Sequence, residues 1–392
     1  MRHKFRRFTS ITTSKQQSLS YCGAGFLGCY HTGVTEALLH HGFLITSSND
    51  TNSYASSTST LPLLTGVSAG SLTSASIHAG VPPENVMNVI LTVAERTRQK
   101  GGWLDILRPG FSLLDQLEDL IVGEMQIALG GSSASGDYDW DLMKKRMDGG
   151  RLLRIGLMHA ANHKGIDLNM IAKTNMESYV YVDEYRDLDD VISACMLSSY
   201  IPLGTGPLRA NQEESNTAVK RAHVKVMEME RLGFIKHGIT GKPVYSKDKD
   251  VVSVDKENDE EKNRVGICYL DGGLVNNWPQ IDSNTIIVSP IQGTYTNPNI
   301  SPKGRVSPDE SPTNSNDFQS FLADLAKSNP LFSGLQRIPV PNLDIHPPTM
   351  QVSDTIRFDL TRDNLETLFR MLKSSDDSFL EERFQQGYND AT

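Results

Sequence analysis

No stretch of this chain approaches the ~18 consecutive apolar residues that a membrane-crossing helix needs. The first residues also lack the apolar core of a secretory signal. Cysteine is scarce: Cys22, Cys29, Cys195 and Cys268 are the only four, with no C-x-x-C among them. That argues against a disulfide framework and a zinc site and fits a reducing compartment. No metal and no cofactor is expected. Positive charge is not in excess either, since 38 Lys and Arg face 47 Asp and Glu for a net charge of −9. A general nucleic-acid binder would show a basic face, so none is expected as a partner. Acid is missing from one end only. "MRHKFRRFTSITTSK" holds five basic residues, and the first acidic residue is Glu36. Residues 1–17 therefore read as a basic, solvated arm, with a transit segment or a membrane-surface contact as alternatives.

What is present is 392 residues, enough for a large core, and an alternation of strand-like and helix-like stretches. "SLSYCGAG" reads as a strand from Ser18 into a glycine loop, and "HTGVTEALLHHG" as the helix after it, stopped at Gly42. The polar stretch 47–60 reads as a loop, "LPLLT" as a buried strand, and "GVSAGSLTSASIHAG" as a turn into a helix of small residues. "PPENVMNVILTVAERTRQKGG" reads as a second helix, "LLRIGLMHA" and "MESYVYVDEY" as paired strands, and "DLDDVISACMLSSYIP" as a helix halted at Pro202. Residues 212–264 are dense in charge and read as a solvated insertion. Residues 291–317 read as a Pro/Ser-rich linker with Ser-Pro pairs at Ser301, Ser307 and Ser311. The tail, 318–392, reads as helical, starting from Phe318, Phe321, Leu322 and Leu325 at helical spacing.

Three short motifs carry chemistry, each after an apparent strand. Gly23, Gly25 and Gly28 spell G-x-G-x-x-G. A dinucleotide site would also need an acid at a strand tip about 20 residues on. Asp50 stands instead inside a polar run, which weakens a nucleotide-binding oxidoreductase reading. Gly66, Val67, Ser68, Ala69 and Gly70 form G-x-S-x-G, the nucleophile elbow, in which a serine is pushed out at a sharp strand-to-helix turn. A serine nucleophile needs backbone donors for an oxyanion, and the Gly23–Ala24–Gly25 to Gly28 loop is the candidate source. It also needs a base. His31, His40, His41, His78, His159 and His163 occupy no motif that sets them against Ser68. Asp271, at the end of "GICYL" and followed by Gly272 and Gly273, is the better candidate, although D-G is also a common turn dipeptide.

Taken together, "GAGFLGCYHTGV", "GVSAGSL", "RPGFSL", "ACMLSSYIP", "YLDGGLVNNWP", "IIVSPIQG" and "FQQGYNDA" resemble the patatin-like phospholipase family. The likeness is to its eukaryotic branch of the adipose triglyceride lipase and adiponutrin type, and covers most of 18–290. That resemblance implies an α/β fold, a three-layer α/β/α sandwich around a mixed central sheet, with a helical C-terminal extension. It implies Ser68 as nucleophile, Asp271 as base without histidine, and the Gly23–Gly28 loop as oxyanion hole. Leu27 stands where plant patatins carry arginine.

The expected activity is cleavage of carboxylic esters of triacylglycerol or phospholipid through an acyl-enzyme. A transacylase on the same site and a catalytically silent lipid-binding scaffold are the alternatives. The expected partners are a lipid ester at a membrane or droplet surface and an activator protein. The expected place is the cytoplasmic face of such a surface, with organelle import left open. The basic arm, "GGWLDILRPGFSLL" and the helix at 318–325 are candidates for reaching it. An aspartate at its ordinary pKa near 3.9 is a feeble base, so Asp271 is expected to be buried with no cation beside it.

Overall fold

The computed structural model describes residues 18–44, 63–99, 112–131, 138–148, 152–160, 176–201, 205, 217–245, 268–295, 297–302, 349–353, 356–359, 364, 367, 370–371 and 375–392. The basic arm, the 47–60 loop, the Asp50 position, "GGWLDILRPGF" and the stretch 318–325 lie outside these residues, as does His163.

Short apolar segments build one mixed sheet. Its strands are β1 (Ser18–Tyr21), β2 (Leu63–Gly66), β3 (Leu153–Ala160), β4 (Tyr179–Val182), β5 (Ile235–His237), β6 (Cys268–Asp271), β7 (Ile286–Val288) and β9 (Asn299–Ile300). Among the described residues the order is β5-β4-β3-β2-β1-β7-β9, with β6 added on β3. Strands β1, β2, β3, β7 and β9 run parallel, whereas β4, β5 and β6 are antiparallel to their neighbours. β1 and β4 are buried along their whole length, as expected of strands covered by helices on both faces.

The helices are α1 (Gly28–His40), α2 (Ala69–Ala79), α3 (Pro83–Gln99), α4 (Leu113–Ala128), α5 (Trp140–Asp148), α6 (Leu188–Ser198), α7 (Ala218–Arg231) and α8 (Asp377–Ala391). Side chains cap four of them. Ser112, Asp187, Thr217 and Asp376 each accept a hydrogen bond from the backbone N–H three residues on. α2 packs on β1, β2 and β3, and α6 on β3 and β6. The architecture is a three-layer α/β/α sandwich with a C-terminal helix.

Two parts differ from their sequence reading. Residues 218–231, inside the supposed solvated insertion, form α7, and residues 235–237 form β5 on the sheet edge. Val219, Ala222, Val226 and Met229 recur at helical spacing and are buried against the core. Dense charge on the opposite face hid that stripe. In the supposed linker, Asn299–Ile300 pairs with β7 as β9. The tail is not all helical either. β10 (Thr349–Ser353) and β11 (Ile356–Asp359) form an antiparallel sheet with β8 (Thr294–Tyr295).

α8 lies on α1 at very close range. A Cβ at Gly33 would strike the Phe384 carbonyl oxygen, and one at Gly387 the Tyr30 carbonyl oxygen. Tyr30 Oη donates to Asp390 Oδ2 at 2.9 Å, and His40 Nδ1 lies 2.5 Å from Tyr388 Oη. Arg98 of α3 ties the start of α8 through Asp377, 2.5 Å away. Gly387→Leu is expected to force the two helices apart and cost about 3 kcal/mol. Thermal unfolding should show it as a clear fall in midpoint, and an unchanged midpoint would refute this helix contact.

Candidate active site

The site starts from a sharing of one strand edge. β2 occupies the first part of the free edge of β3, ending with Gly66 opposite Ile155. β6 comes from the other direction on the same edge and ends with Asp271 opposite Leu157. Two strands running head-on must stop where they meet, and both chains turn away there. Ser68 leaves from one end and Asp271 sits on the other.

The turn at Ser68 is a strained one. Its φ of 52° and ψ of −132° make it the only non-glycine residue with positive φ among the described residues. Such a conformation costs on the order of 1–3 kcal/mol and persists only when its surroundings over-determine it. Val67 N–H donates to the Tyr21 carbonyl at 3.3 Å, and Ser68 N–H to the Ser198 carbonyl at 3.1 Å. The Ser71 hydroxyl donates back to the Ser68 carbonyl at 2.6 Å. The flanking glycines answer to crowding. A Cβ at Gly66 would strike the Gly70 carbonyl, and one at Gly70 the carbonyls of Tyr21 and Cys22. G-x-S-x-G is thus a statement about how closely α2 starts against β1 and β2.

Asp271 is 3% exposed. Its carboxylate accepts a hydrogen bond from the Gly273 N–H at 2.7 Å, and the Ser68 side chain lies near enough to lower its pKa. Burial pushes that pKa up to about 7, against the smaller lowering effect of these two neighbours. Among the described residues no cation and no histidine contributes to that shift. His31 packs edge-on against Tyr21, and burial lowers its pKa to about 3. His159 lies beside Tyr269, and burial lowers its pKa as well.

The glycine loop comes to the same place. Gly23 lies against both Ser68 and Asn277, so that a Cβ there would meet the Ser68 Cβ at 3.3 Å. Gly28 and Ala69 are the first residues of α1 and α2, and a Cβ at Gly28 would meet the Ala69 Cβ at 3.4 Å. Two helix N-termini, each with a partial positive charge, therefore meet beside Ser68. The loop's own amides are not equivalent. Gly23 N–H is committed to Asn277 Oδ1 at 2.9 Å, and Gly28 N–H to the Gly25 carbonyl. Among the described residues, the N–H groups of Ala24, Gly25 and Ala69 donate to none of the others. Gly25 has φ of 52°, and the Met371 carbonyl stands where its side chain would be.

Residues of all three motifs thus come together at Ser68, with Gly23 against it and Asp271 beside it. Asn277 is one the motif reading passed over. It stands six residues after Asp271 and joins the D-G-G turn to the glycine loop. The quoted "YLDGGLVNNWP" contained it, but nothing in its spacing says which of two adjacent asparagines reaches across 254 positions to Gly23.

Raised burial of Asp271 has a stability consequence. A carboxyl whose folded pKa lies near 7 rather than near 3.8 favours the fold while protonated, and that favour is lost as pH rises through 7. Asp271→Asn does not titrate. Its stability relative to wild type is expected to improve by about 3 kcal/mol between pH 5 and pH 8. Denaturant unfolding of both proteins at the two pH values checks this, and a constant difference would refute the raised pKa.

The sequence model of the family described as patatin-like phospholipase matches residues 19–282. The human protein 1-acylglycerol-3-phosphate O-acyltransferase PNPLA3 is 23% identical over 287 residues, 71% of this chain and 38% of that protein. The chain therefore spans well under half of the curated relative that it matches. The crystal structure of VipD from Legionella pneumophila covers 96% of this chain and 67% of its own at 10% identity. Its TM-score of 0.31 is too low to bear on the fold.

Proposed function

The chain belongs to the patatin-like phospholipase family, and on that premise we propose that it is a lipid acyl hydrolase working through Ser68 and Asp271. One observation carries the reading. The Ser68 side chain stands beside a buried carboxylate whose pKa burial raises to about 7, where a base is useful at neutral pH.

Ser68 Oγ attacks the ester carbonyl carbon while its proton passes to Asp271. The oxyanion that forms is held by the N–H groups of Ala24, Gly25 and Ala69, at the joined N-termini of α1 and α2. Gly23 and Gly28 shape this loop rather than donate, because their amides are taken. The tetrahedral intermediate collapses, the C–O bond to the leaving alcohol breaks, and that oxygen takes the proton from Asp271. Water then attacks the acyl carbon and gives a proton to Asp271; the bond from that carbon to Ser68 Oγ breaks, Oγ takes the proton back from Asp271, and fatty acid leaves. The substrate is a triacylglycerol or a phospholipid at a membrane or droplet surface. No described helix is long and apolar enough to cross a membrane, so contact with that surface is peripheral in this reading, and an activator protein could assist it.

A second reading is favoured by the acyltransferase name of the human relative. If a glycerophosphate or glyceride hydroxyl replaces water in the second half, the acyl group moves to that oxygen and the same proton passes to Asp271. The dyad is common to both outcomes.

Ser68→Ala should abolish fluorophosphonate labelling and release of fatty acid from triolein or phosphatidylcholine micelles. Wild-type kcat/KM should rise with pH through a limb near 7, since Asp271 must be ionised to accept the proton. Gly25→Val should lower kcat on the order of 10²–10³-fold by disturbing the oxyanion donors. Full activity of that variant would remove the loop from the mechanism. A folded wild type that neither labels nor releases fatty acid would turn the reading to a lipid-binding scaffold.

A further inference from the structure

Neither catalytic motif contains the group that holds the main chain of Ser68. That group stands at the C-terminal end of α6. Ser68 N–H is shared between the Ser198 carbonyl, 3.1 Å away, and Ser198 Oγ, 2.9 Å away. With its own proton, Ser198 Oγ donates to the Gly156 carbonyl at 2.7 Å. Gly156 lies between Ile155 and Leu157, the β3 residues opposite the ends of β2 and β6. Two residues beyond Ser198, the Tyr200 carbonyl accepts the N–H of Asp271 at 3.0 Å. One helix end therefore holds the backbones of both dyad residues, and ties the first of them to the strand between them.

We propose that Ser198 is a positioning residue for the nucleophile, fixing the strained backbone of Ser68 so that its hydroxyl stays on Asp271. The inference rests on the Ser68–Asp271 reading above. Serine suits the task chemically. A single short hydroxyl can accept from Ser68 and donate to Gly156 at once, and at 0% exposure water does not compete. α6 is itself firmly seated. At its start Asp187 caps the Asp190 N–H at 2.8 Å, and buried Asp190 takes two bonds from the Arg186 guanidinium at 2.8 and 2.9 Å. A helix fixed there presents its far end in a definite place. The neighbour Ser199 is a control in the same setting. It is 6% exposed, and its hydroxyl has no hydrogen-bond partner among the described residues.

The test compares Ser198→Ala, Ser198→Thr and Ser199→Ala with wild type. For Ser198→Ala the fluorophosphonate labelling rate and kcat should fall together by about 10- to 100-fold, as for a misplaced reacting group. KM should stay put, and the pH limb near 7 should move up rather than down, because Asp271 keeps its burial and its Gly273 bond while the lowering contact with Ser68 is weakened. Amide exchange of the peptide spanning 66–72 should quicken in Ser198→Ala alone. Ser198→Thr keeps the hydroxyl and should restore most of the labelling, while Ser199→Ala should match wild type. Wild-type labelling by folded Ser198→Ala, or an equal loss in Ser199→Ala, overturns the proposal. A wild type that never labels, yet shows the exchange difference, overturns the dyad reading beneath it and leaves Ser198 a purely structural role.

Discussion

An edge of a β-strand can be paired only once, and β2 and β6 divide the same edge of β3 between them. β2 holds it as far as Ile155 and β6 from Leu157 onward. Because the two strands run toward each other, their C-terminal ends face across a single residue, Gly156. Groups that stand about 200 positions apart in the chain are thereby set side by side by backbone pairing alone. What the two ends do next is also constrained. β2 cannot continue straight, since β6 occupies its path, so the chain turns sharply at Ser68 and enters α2. β6 ends in a tight turn that returns the Gly273 N–H to the Asp271 carboxylate at 2.7 Å. The strained backbone at Ser68 follows from the head-on meeting of the strands and is kept by the hydrogen bonds around it.

The proposed dyad, which has no histidine, has a narrow window in which to work. Two hydrogen bonds to a carboxylate, taken alone, would hold its pKa low and make it a poor base. Complete burial alone would raise it until it stayed protonated at neutral pH and carried no basic function. In this protein the two effects oppose each other, burial being the larger, and the result is a group near 7. Among the described residues no cation acts against the burial, and one nearby Lys or Arg would draw the value back down. The negative net charge of the chain is irrelevant at this scale. What acts on the site is local: the burial of Asp271, and two helix N-termini that come close at Gly28 and Ala69.

The parts of this arrangement that were legible in the sequence are those governed by local constraint. Glycines at 66 and 70 report a chain crossing at close range, and β1, β2 and β6 each stand out as a short apolar run before a turn. Charge density misled where it masked a stripe, as in α7, whose buried Val219, Ala222, Val226 and Met229 are outnumbered by Lys, Arg and Glu on the other face. Strands of two to five residues, such as β8 to β11, are too short for alternation to register. Asn277 and Ser198 were unreadable for a different reason. Each acts through a hydrogen bond to backbone more than a hundred residues away, and ordinary Asn and Ser side chains bear no sequence mark of such a partner.

The tail shows how far a site extends beyond its reacting groups. Gly25 turns with positive φ, and the Met371 carbonyl fills the place a side chain would need, while Asn364 clasps the backbone of Gln292 on both its N–H and its carbonyl at 3.1 and 2.9 Å. α8 then closes on α1, the helix that the glycine loop begins. The loop that carries the amides of Ala24 and Gly25, which donate to none of the other described residues, is therefore held from two sides, by the elbow on one and by the C-terminal segment on the other. Either support alone would leave a glycine-rich loop many conformations of nearly equal energy. Held between both, it keeps its amides oriented before any substrate arrives, which is the condition under which backbone dipoles stabilise a developing charge without first having to reorganise.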